Sequence, residues 1–403
     1  MKCRLCNNER LIPLLNLGKT PLANSYPPKE QLGNEEEFPI EIALCDSCKL
    51  VTLTFVADPK TMFSDYLYVT STTKTFQLHF TKMAEDLIRQ FKLNNNSLVV
   101  DIGSNDGLLL SGFKKMGAKV VGVEPATNLA KLANQAGIET LNDFFNEGTV
   151  EEIIKKQGKA DIITATNVFA HIDDIQSVTH NVKKLLKDEG VFVIEAAYLI
   201  DMINQMTFDS IYHEHLCYYS LTPLANFFKR FNMRVFDVKH VDTHGGSLRV
   251  FVCNQNSRHH ESPDVQKMLD NEIAANKVEN LKAFASRVTH TKKALVDCIK
   301  SLESQGKKIA GYGAPAKATT LLNFCGLDSS DIDYIVDDNP MKVGLHLPGT
   351  KIPIVSSKSL DEKNPDYILI LAWNFSKEIM EKTKRYHDQG IKYIIPVPEA
   401  TIK

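Results

Sequence analysis

Two stretches of this chain share one local grammar, and together they dictate its class. Ser97-Leu98-Val99-Val100-Asp101-Ile102 is the kind of apolar run that buries on both faces of a parallel sheet, and Gly103-Ser104-Asn105-Asp106-Gly107 turns it into an apolar helical stretch over 108–116. Lys308-Ile309-Ala310 enters Gly311-Tyr312-Gly313-Ala314-Pro315-Ala316-Lys317 in the same way, and a helix follows to about Phe324. A buried strand that reaches a helix through a glycine turn opens a βαβ unit, so the chain is α/β with two Rossmann-like lobes. A length of 403 residues exceeds one ordinary core and leaves room for both. The expected division is a segment at 1–75, a first lobe at 76–255, a polar helical connection at 256–305 and a second lobe at 306–403.

The two turns differ in chemistry. The first lacks the G-x-G-x-x-G spacing of a dinucleotide site and carries Asp101 and Asp106, which would repel a diphosphate and attract an ammonium group. Asn105 lies between them. Val120-Val121-Gly122-Val123-Glu124 is a second strand whose terminal acid is placed for ribose hydroxyls, and Asp143 with Phe144 suits an adenine ring and its amine. A fourth strand over 160–166 ends in Asn167-Val168-Phe169-Ala170-His171. The second turn has no acid and carries Lys317, so its amides and ammonium suit a diphosphate. Asp337-Asp338-Asn339-Pro340 is either a plain turn or a nucleoside contact.

Ahead of the first lobe, Cys3-Arg4-Leu5-Cys6 and Cys45-Asp46-Ser47-Cys48 are two CxxC knuckles, the four-thiolate set of a closed tetrahedral zinc site. Four thiolates leave no open position for a substrate, so the metal is structural. The gap between the pairs holds a Pro-rich excursion through Pro21, Pro27, Pro28 and Pro39. The other cysteines are scattered and read as small apolar residues.

Just past the middle, Tyr212-His213-Glu214-His215 gathers two imidazoles, a carboxylate and a phenol. A neutral imidazole titrates near physiological pH, a carboxylate orients it, and a phenol can donate to a developing oxyanion. This stretch falls near the carboxyl ends of the strands, where open α/β sheets bind substrates. Its approach, 199–210, reads as poor in helix. Tyr66 and Tyr68 lie in a hydroxyl-rich run before a helix over 74–91, and one of them can face a ligand. Thr243-His244-Gly245-Gly246 is a turn that lets backbone come close to something, a ligand or a tight hairpin.

A net charge of −2 argues against a sequence-blind nucleic-acid binder. No apolar run reaches the roughly 18 residues of a membrane span, and the first residues lack a signal-peptide core, so the expected location is cytoplasmic.

The glycine turn, the acidic ends of the strands and the segment after the fourth strand resemble a class I S-adenosylmethionine methyltransferase. With the four cysteines, Tyr212-His213-Glu214-His215-Leu216 and Gly311-Tyr312-Gly313-Ala314-Pro315-Ala316-Lys317, the whole chain is similar to the nucleotide-sugar C-methyltransferases that make branched deoxysugars. That resemblance implies S-adenosylmethionine and structural zinc. Its substrate would be a nucleotide-linked 4-keto-6-deoxy sugar, with thymidine diphosphate the first expectation and guanosine diphosphate the second. Methylation would fall on the carbon beside the ketone, C3. It implies His215 as base, Tyr212 and Glu214 in support, His171 beside the substrate and Tyr66 as a further contact. Asp101, Gly103, Asn105, Gly107, Glu124, Asp143, Phe144 and Asn167 would hold the donor. Substrate contacts would come from Tyr68, His213, His244, Gly245, Gly311, Tyr312, Gly313, Ala314, Lys317 and Asp337, and one chain carrying every site is compatible with a monomer. The competing readings are a methyltransferase acting on RNA or protein, for which no basic, aromatic-interleaved stripe exists, and a non-catalytic nucleotide-sugar binder, against which intact Asp101, Gly103, Gly107 and Glu124 speak.

Overall fold

The computed structural model describes residues 1–63, 66, 69–72, 74–243 and 245–403, so the expectations on Tyr68 and His244 lie outside the described residues. Three sheets organise the chain. The central one has seven strands, in the order Met233–Val241, Ser247–Asn254, Leu186–Ala197, Ala160–Thr166, Leu98–Ile102, Lys119–Val123, Thr140–Leu141. Only Ser247–Asn254 runs against its neighbours. This is the class I methyltransferase sheet with Rossmann-like crossovers, and its middle strands are buried on both faces, as their unbroken apolar runs require.

The second lobe is a six-stranded sheet ordered Ile354–Val355, Tyr334–Val336, Ile309–Tyr312, Tyr367–Ile370, Lys392–Ile395, Thr401–Ile402, parallel except at its last strand. Two helices, Pro263–Ala275 and Val278–Ser304, lead into it, the first capped by the Ser262 hydroxyl, which accepts from the Asp264 amide. That first helix also supplies a distant cap. Fully buried Glu272 accepts from the amides of Leu221 (2.6 Å) and Thr222 (2.8 Å) at the start of helix Leu221–Lys229, which has no local side-chain cap. Such a contact stabilises by about 1 kcal/mol, and losing it would strand buried amides.

The third sheet was not legible in the sequence. Leu11–Thr20, Phe38–Cys45 and Val51–Leu53 form an antiparallel sheet inside the segment read as a zinc spacer, and Cys217–Tyr218 adds its fourth strand. Register shifts after Pro13 and Asn16 break the alternation that would have announced Leu11–Thr20. A shift after Val235 hid Met233–Val241 in the same way. The stretch expected to be poor in helix contains helix Leu199–Gln205, which buries Leu199, Met202 and Ile203 at helical spacing.

Pro21 to Glu35 is likewise more than a spacer, because it lies across the second lobe. The Ala23 carbonyl accepts from the Thr319 hydroxyl (3.1 Å), the Pro27 carbonyl from the His346 amide (3.0 Å), and Glu35 from the Gly349 amide (2.8 Å). No helix among the described residues is long and apolar enough to cross a membrane.

A candidate active site where the three sheets meet

The backbone of Leu216 is gripped from both sides. Its carbonyl accepts from the Leu53 amide (2.9 Å) and the Thr52 hydroxyl (2.9 Å) of the N-terminal sheet, and its amide donates to Ala170 (2.8 Å), in the loop after strand Ala160–Thr166. This grip brings His215 beside His171. Their rings stack with centroids 5.0 Å apart, and the Tyr212 ring lies 4.1 Å from that of His215.

His215 Nδ1 stands 2.7 Å from the Ser210 carbonyl, which can only accept. The proton is therefore on Nδ1, and Nε2 keeps its lone pair. Burial pushes the His215 pKa down to about 4, and burial with the neighbouring imidazole holds His171 well below its usual value, so both rings are neutral at pH 7.

Glu214 is buried, which raises its pKa, while two donors counter that shift: the Tyr66 phenol at 2.6 Å on one oxygen and the Asn24 amide at 2.6 Å on the other. Tyr66 is held in turn. Asn128 accepts from its amide (3.2 Å) and donates to its carbonyl (2.8 Å), from the first turn of helix Thr127–Gln135.

That helix begins just after the donor-side acids. Glu124 is buried and accepts from the amides of Asn105 and Ala126, both at 2.8 Å. Asp101 is buried beneath the glycine turn, accepts from Thr164 (2.6 Å), and is pushed up to about 7 by burial and by the charge of Glu124. Gly103 has φ +65 and any Cβ there would fall 2.7 Å from Val168, so this position admits glycine alone. Gly107 also has positive φ and caps helix Leu108–Lys115. The amides of Thr70 and Ser71 donate to Asn105 and Asp106, laying the linker over the turn. Phe144 is half-exposed, Asp143 is exposed, and Asn167, at φ +55, closes strand Ala160–Thr166. Asp101, Gly103, Glu124, Asp143 and Asn167 lie at or just past the carboxyl ends of neighbouring strands of the central sheet.

On the second lobe the glycine turn is largely consumed by the protein. The Gly313 amide donates to Val336 (2.8 Å), the Ala314 amide to Asp337 (2.6 Å), and the Ala314 carbonyl accepts from Tyr26 and Lys342, both at 2.7 Å. Asp337 accepts from the Asn339 amide (2.8 Å) with its other oxygen, so both oxygens tie the turn. Gly311 is buried strand, where a Cβ would meet Ile335 at 2.7 Å, and the Tyr312 ring is buried with its hydroxyl near Asp338. Free amides remain at the first turn of helix Ala316–Cys325, which has no side-chain cap. Gly245 lines a cavity of about 400 Å³ with Thr75, Gln205, Thr207 and Trp373, between the central sheet and the second lobe.

His213 corrects the sequence reading most clearly. It is fully buried, packs edge-on against Phe38 and Phe55, and donates from Nε2 to the Phe38 carbonyl at 3.2 Å. The chain turns over between the two, the His215 amide donating to the Tyr212 carbonyl (2.9 Å), so His213 packs into the N-terminal sheet while His215 stacks on His171. The sequence reading also missed Asn24, Asn128, Asp209 and Trp373. No local signal marks them, since each matters through a partner far away in the chain.

The four cysteine sulfurs of Cys3, Cys6, Cys45 and Cys48 all lie within 4.8 Å of one another, unpaired by disulfides. That donor set and spacing fit a tetrahedral zinc ion. Between the first two, Arg4 reaches Thr52, the Leu53 carbonyl (2.8 Å) and Asp173 (2.9 Å), two positions beyond His171.

Comparison with known proteins follows this layout. Residues 3–63 match the family described as "Putative zinc binding domain", residues 76–238 a "Methyltransferase domain" and residues 242–398 a "C-methyltransferase C-terminal domain". The chain is 36% identical over 404 residues to the C-methyltransferase NovU of Streptomyces niveus, covering 100% of this chain and 96% of that protein. A ubiquinone biosynthesis O-methyltransferase of Rhodopseudomonas palustris is 33% identical over 114 residues, 26% of this chain and 45% of that protein. Among solved structures, the magnesium protoporphyrin IX methyltransferase of Synechocystis PCC 6803 aligns at TM-score 0.34 and 13% identity, over 44% of this chain and 79% of that one.

Proposed function

The chain belongs to the S-adenosylmethionine-dependent C-methyltransferase family, and on that premise we propose that it methylates the carbon beside the ketone, C3, of a nucleotide-linked 4-keto-6-deoxy sugar. The donor is S-adenosylmethionine, and the four cysteines hold a structural zinc. A C–H bond next to a ketone is acidic because its anion spreads onto oxygen, so the reaction needs a base at carbon and donors at oxygen. The observation that carries this reading is the His215 tautomer: Nδ1 is committed to Ser210, and an unprotonated Nε2 remains at neutral pH.

His215 Nε2 takes the proton, and Tyr212 and His171, on either side, orient the sugar and donate toward the ketone. Glu214, fixed by Tyr66 and Asn24, sets the polarity of the Tyr212 side of the site. Asp101, Gly103, Asn105, Gly107 and Glu124 cradle the donor's methionine and ribose portions, and Asp143, Phe144 and Asn167 flank its adenine. When bound, the donor supplies an electrophilic methyl on sulfur, which needs no metal and must stand in line with the carbon. The first-turn amides of helix Ala316–Cys325 favour the diphosphate, and Gly245 borders the sugar's approach. Thymidine diphosphate is the proposed carrier, with guanosine diphosphate the alternative, and the protein works as a soluble cytoplasmic monomer without nucleic acid.

The test is direct. With labelled donor and a panel of thymidine- and guanosine-diphosphate 4-keto-6-deoxy sugars, label should enter the ring at C3, as located by NMR and mass spectrometry. His215→Asn should abolish both methyl transfer and deuterium exchange at that carbon, with S-adenosylhomocysteine affinity unchanged. Full turnover in that variant removes His215 from the role of base.

A further inference from the structure

Lys317 is the one lysine of helix Ala316–Cys325, yet its ammonium does not stand in solvent at the helix start. Nζ is buried with no hydrogen-bond partner, and it lies over the Trp373 ring at 5.6 Å from the centroid. A buried ammonium with three unspent donors calls for an anionic or strongly accepting oxygen. The neighbouring carboxylate does not supply it. Asp209 is fully buried, gives Oδ2 to the Trp373 indole N–H (2.6 Å), and leaves Oδ1 without a partner as well. Two buried polar groups, each with unspent hydrogen-bonding capacity and not paired to each other, are what polar substrate atoms would complete.

This pair of groups is tied to the base. Asp209 precedes Ser210, whose carbonyl fixes His215 Nδ1. The positive charge of Lys317 is felt at both Asp209 and His215. The glycine turn just before Lys317 has meanwhile spent its Gly313 and Ala314 amides on Val336 and Asp337, so a diphosphate is left to the first-turn amides of helix Ala316–Cys325 and not to this turn.

We propose that Lys317 is a catalytic residue whose ammonium receives the oxyanion formed on the ketone oxygen when His215 removes the neighbouring proton, an assignment that rests on the sugar reading above and departs from a diphosphate role for this lysine. As the C–H bond breaks, the proton passes to His215 Nε2. The bonding pair becomes the new C=C bond, and the carbonyl π pair moves onto oxygen, where Lys317 meets the charge. The enolate carbon then takes the methyl while its C=O re-forms, and the methyl–sulfur pair leaves with sulfur. The oxyanion forms on the oxygen of the adjacent carbon, two bonds from the deprotonated one, so a cation held near the base stands where the charge develops, and removing one such donor commonly costs about 10²–10³ in rate.

The full zinc-loaded chain with S-adenosylhomocysteine in D2O gives the readout: deuterium uptake beside the ketone of thymidine-diphosphate 4-keto-6-deoxyglucose at saturation. Thymidine diphosphate binding is measured in parallel by calorimetry. In Lys317→Met, exchange should fall about 10²–10³-fold while thymidine diphosphate affinity changes less than about twofold, and Lys317→Arg should regain part of the exchange. Exchange at the wild-type rate overturns the assignment. So does a loss of thymidine diphosphate affinity about tenfold or larger, which would return Lys317 to the diphosphate. Should Met prevent folding, judged by zinc content and S-adenosylhomocysteine binding, Lys317→Gln answers the same question. A wild-type protein that neither exchanges nor binds thymidine diphosphate would sink the sugar reading itself, a separate outcome.

Discussion

Tyr66 donates its phenolic proton to Glu214 at 2.6 Å across 148 positions of sequence, and Asn24 fills the other carboxylate oxygen at the same distance. The linker after the zinc segment thereby reaches into the centre of the candidate site. Hydrogen bonds to charged groups contribute roughly 1.5–3 kcal/mol. Tyr66→Phe should accordingly lower kcat/KM by about ten- to a hundredfold with S-adenosylhomocysteine affinity unchanged, because the donor pocket keeps its own contacts. Steady-state kinetics paired with calorimetry checks this, and wild-type kinetics would detach Tyr66 from the chemistry.

The neutral imidazole of His215 predicts an unusual acid limb. Its folded pKa of about 4 lies below the usual 6.5. As pH falls below 6.5 the unfolded chain takes up a proton that the folded ring refuses until about 4, so this group removes stability across that window and none above it. Base function persists over the same range. Deuterium exchange should stay flat from pH 8 down to about 5.5, and an inflection near 6.5 in the wild-type profile would contradict the buried tautomer.

In the proposed cradle, Asp101, with a pKa of about 7, should couple donor binding to pH. A ligand carrying an ammonium favours the carboxylate, so binding below pH 7 must expel the proton. S-adenosylhomocysteine affinity should be level above 7 and fall toward tenfold per unit below it. Calorimetry in two buffers of different ionisation enthalpy reads the proton release directly. In Asp101→Asn the slope should disappear.

Removing zinc should silence the reaction before it harms donor binding. The four-cysteine cluster holds the loop from which Arg4 reaches Thr52, Leu53 and Asp173, and Thr52 and Leu53 grip Leu216 next to His215. Chelation, or Cys45→Ser, should abolish methyl transfer in proportion to metal lost by atomic emission. S-adenosylhomocysteine should still bind, since Asp101, Gly103 and Glu124 belong to the central sheet. Methyl transfer that survives complete loss of metal would show the two to be uncoupled.

What the sequence determined by itself is everything that depends on residue type at short range. Apolar runs ending in glycine turns gave both lobes, paired CxxC motifs gave the sulfur cluster, and an imidazole, a carboxylate and a phenol within four positions marked the candidate turn. The direction each side chain takes was decided only by tertiary structure. His213 and His215 are two residues apart with equal chemical promise, and the N-terminal sheet buries one while the Ser210 carbonyl fixes the other. Asp337 was undecided between turn and nucleoside contact, and the Ala314 amide ties it to the turn, while Asp209, Trp373, Asn24 and Asn128 carry no local mark. Their roles arise from contacts between distant segments, and periodicity, spacing and composition describe only neighbours along the chain.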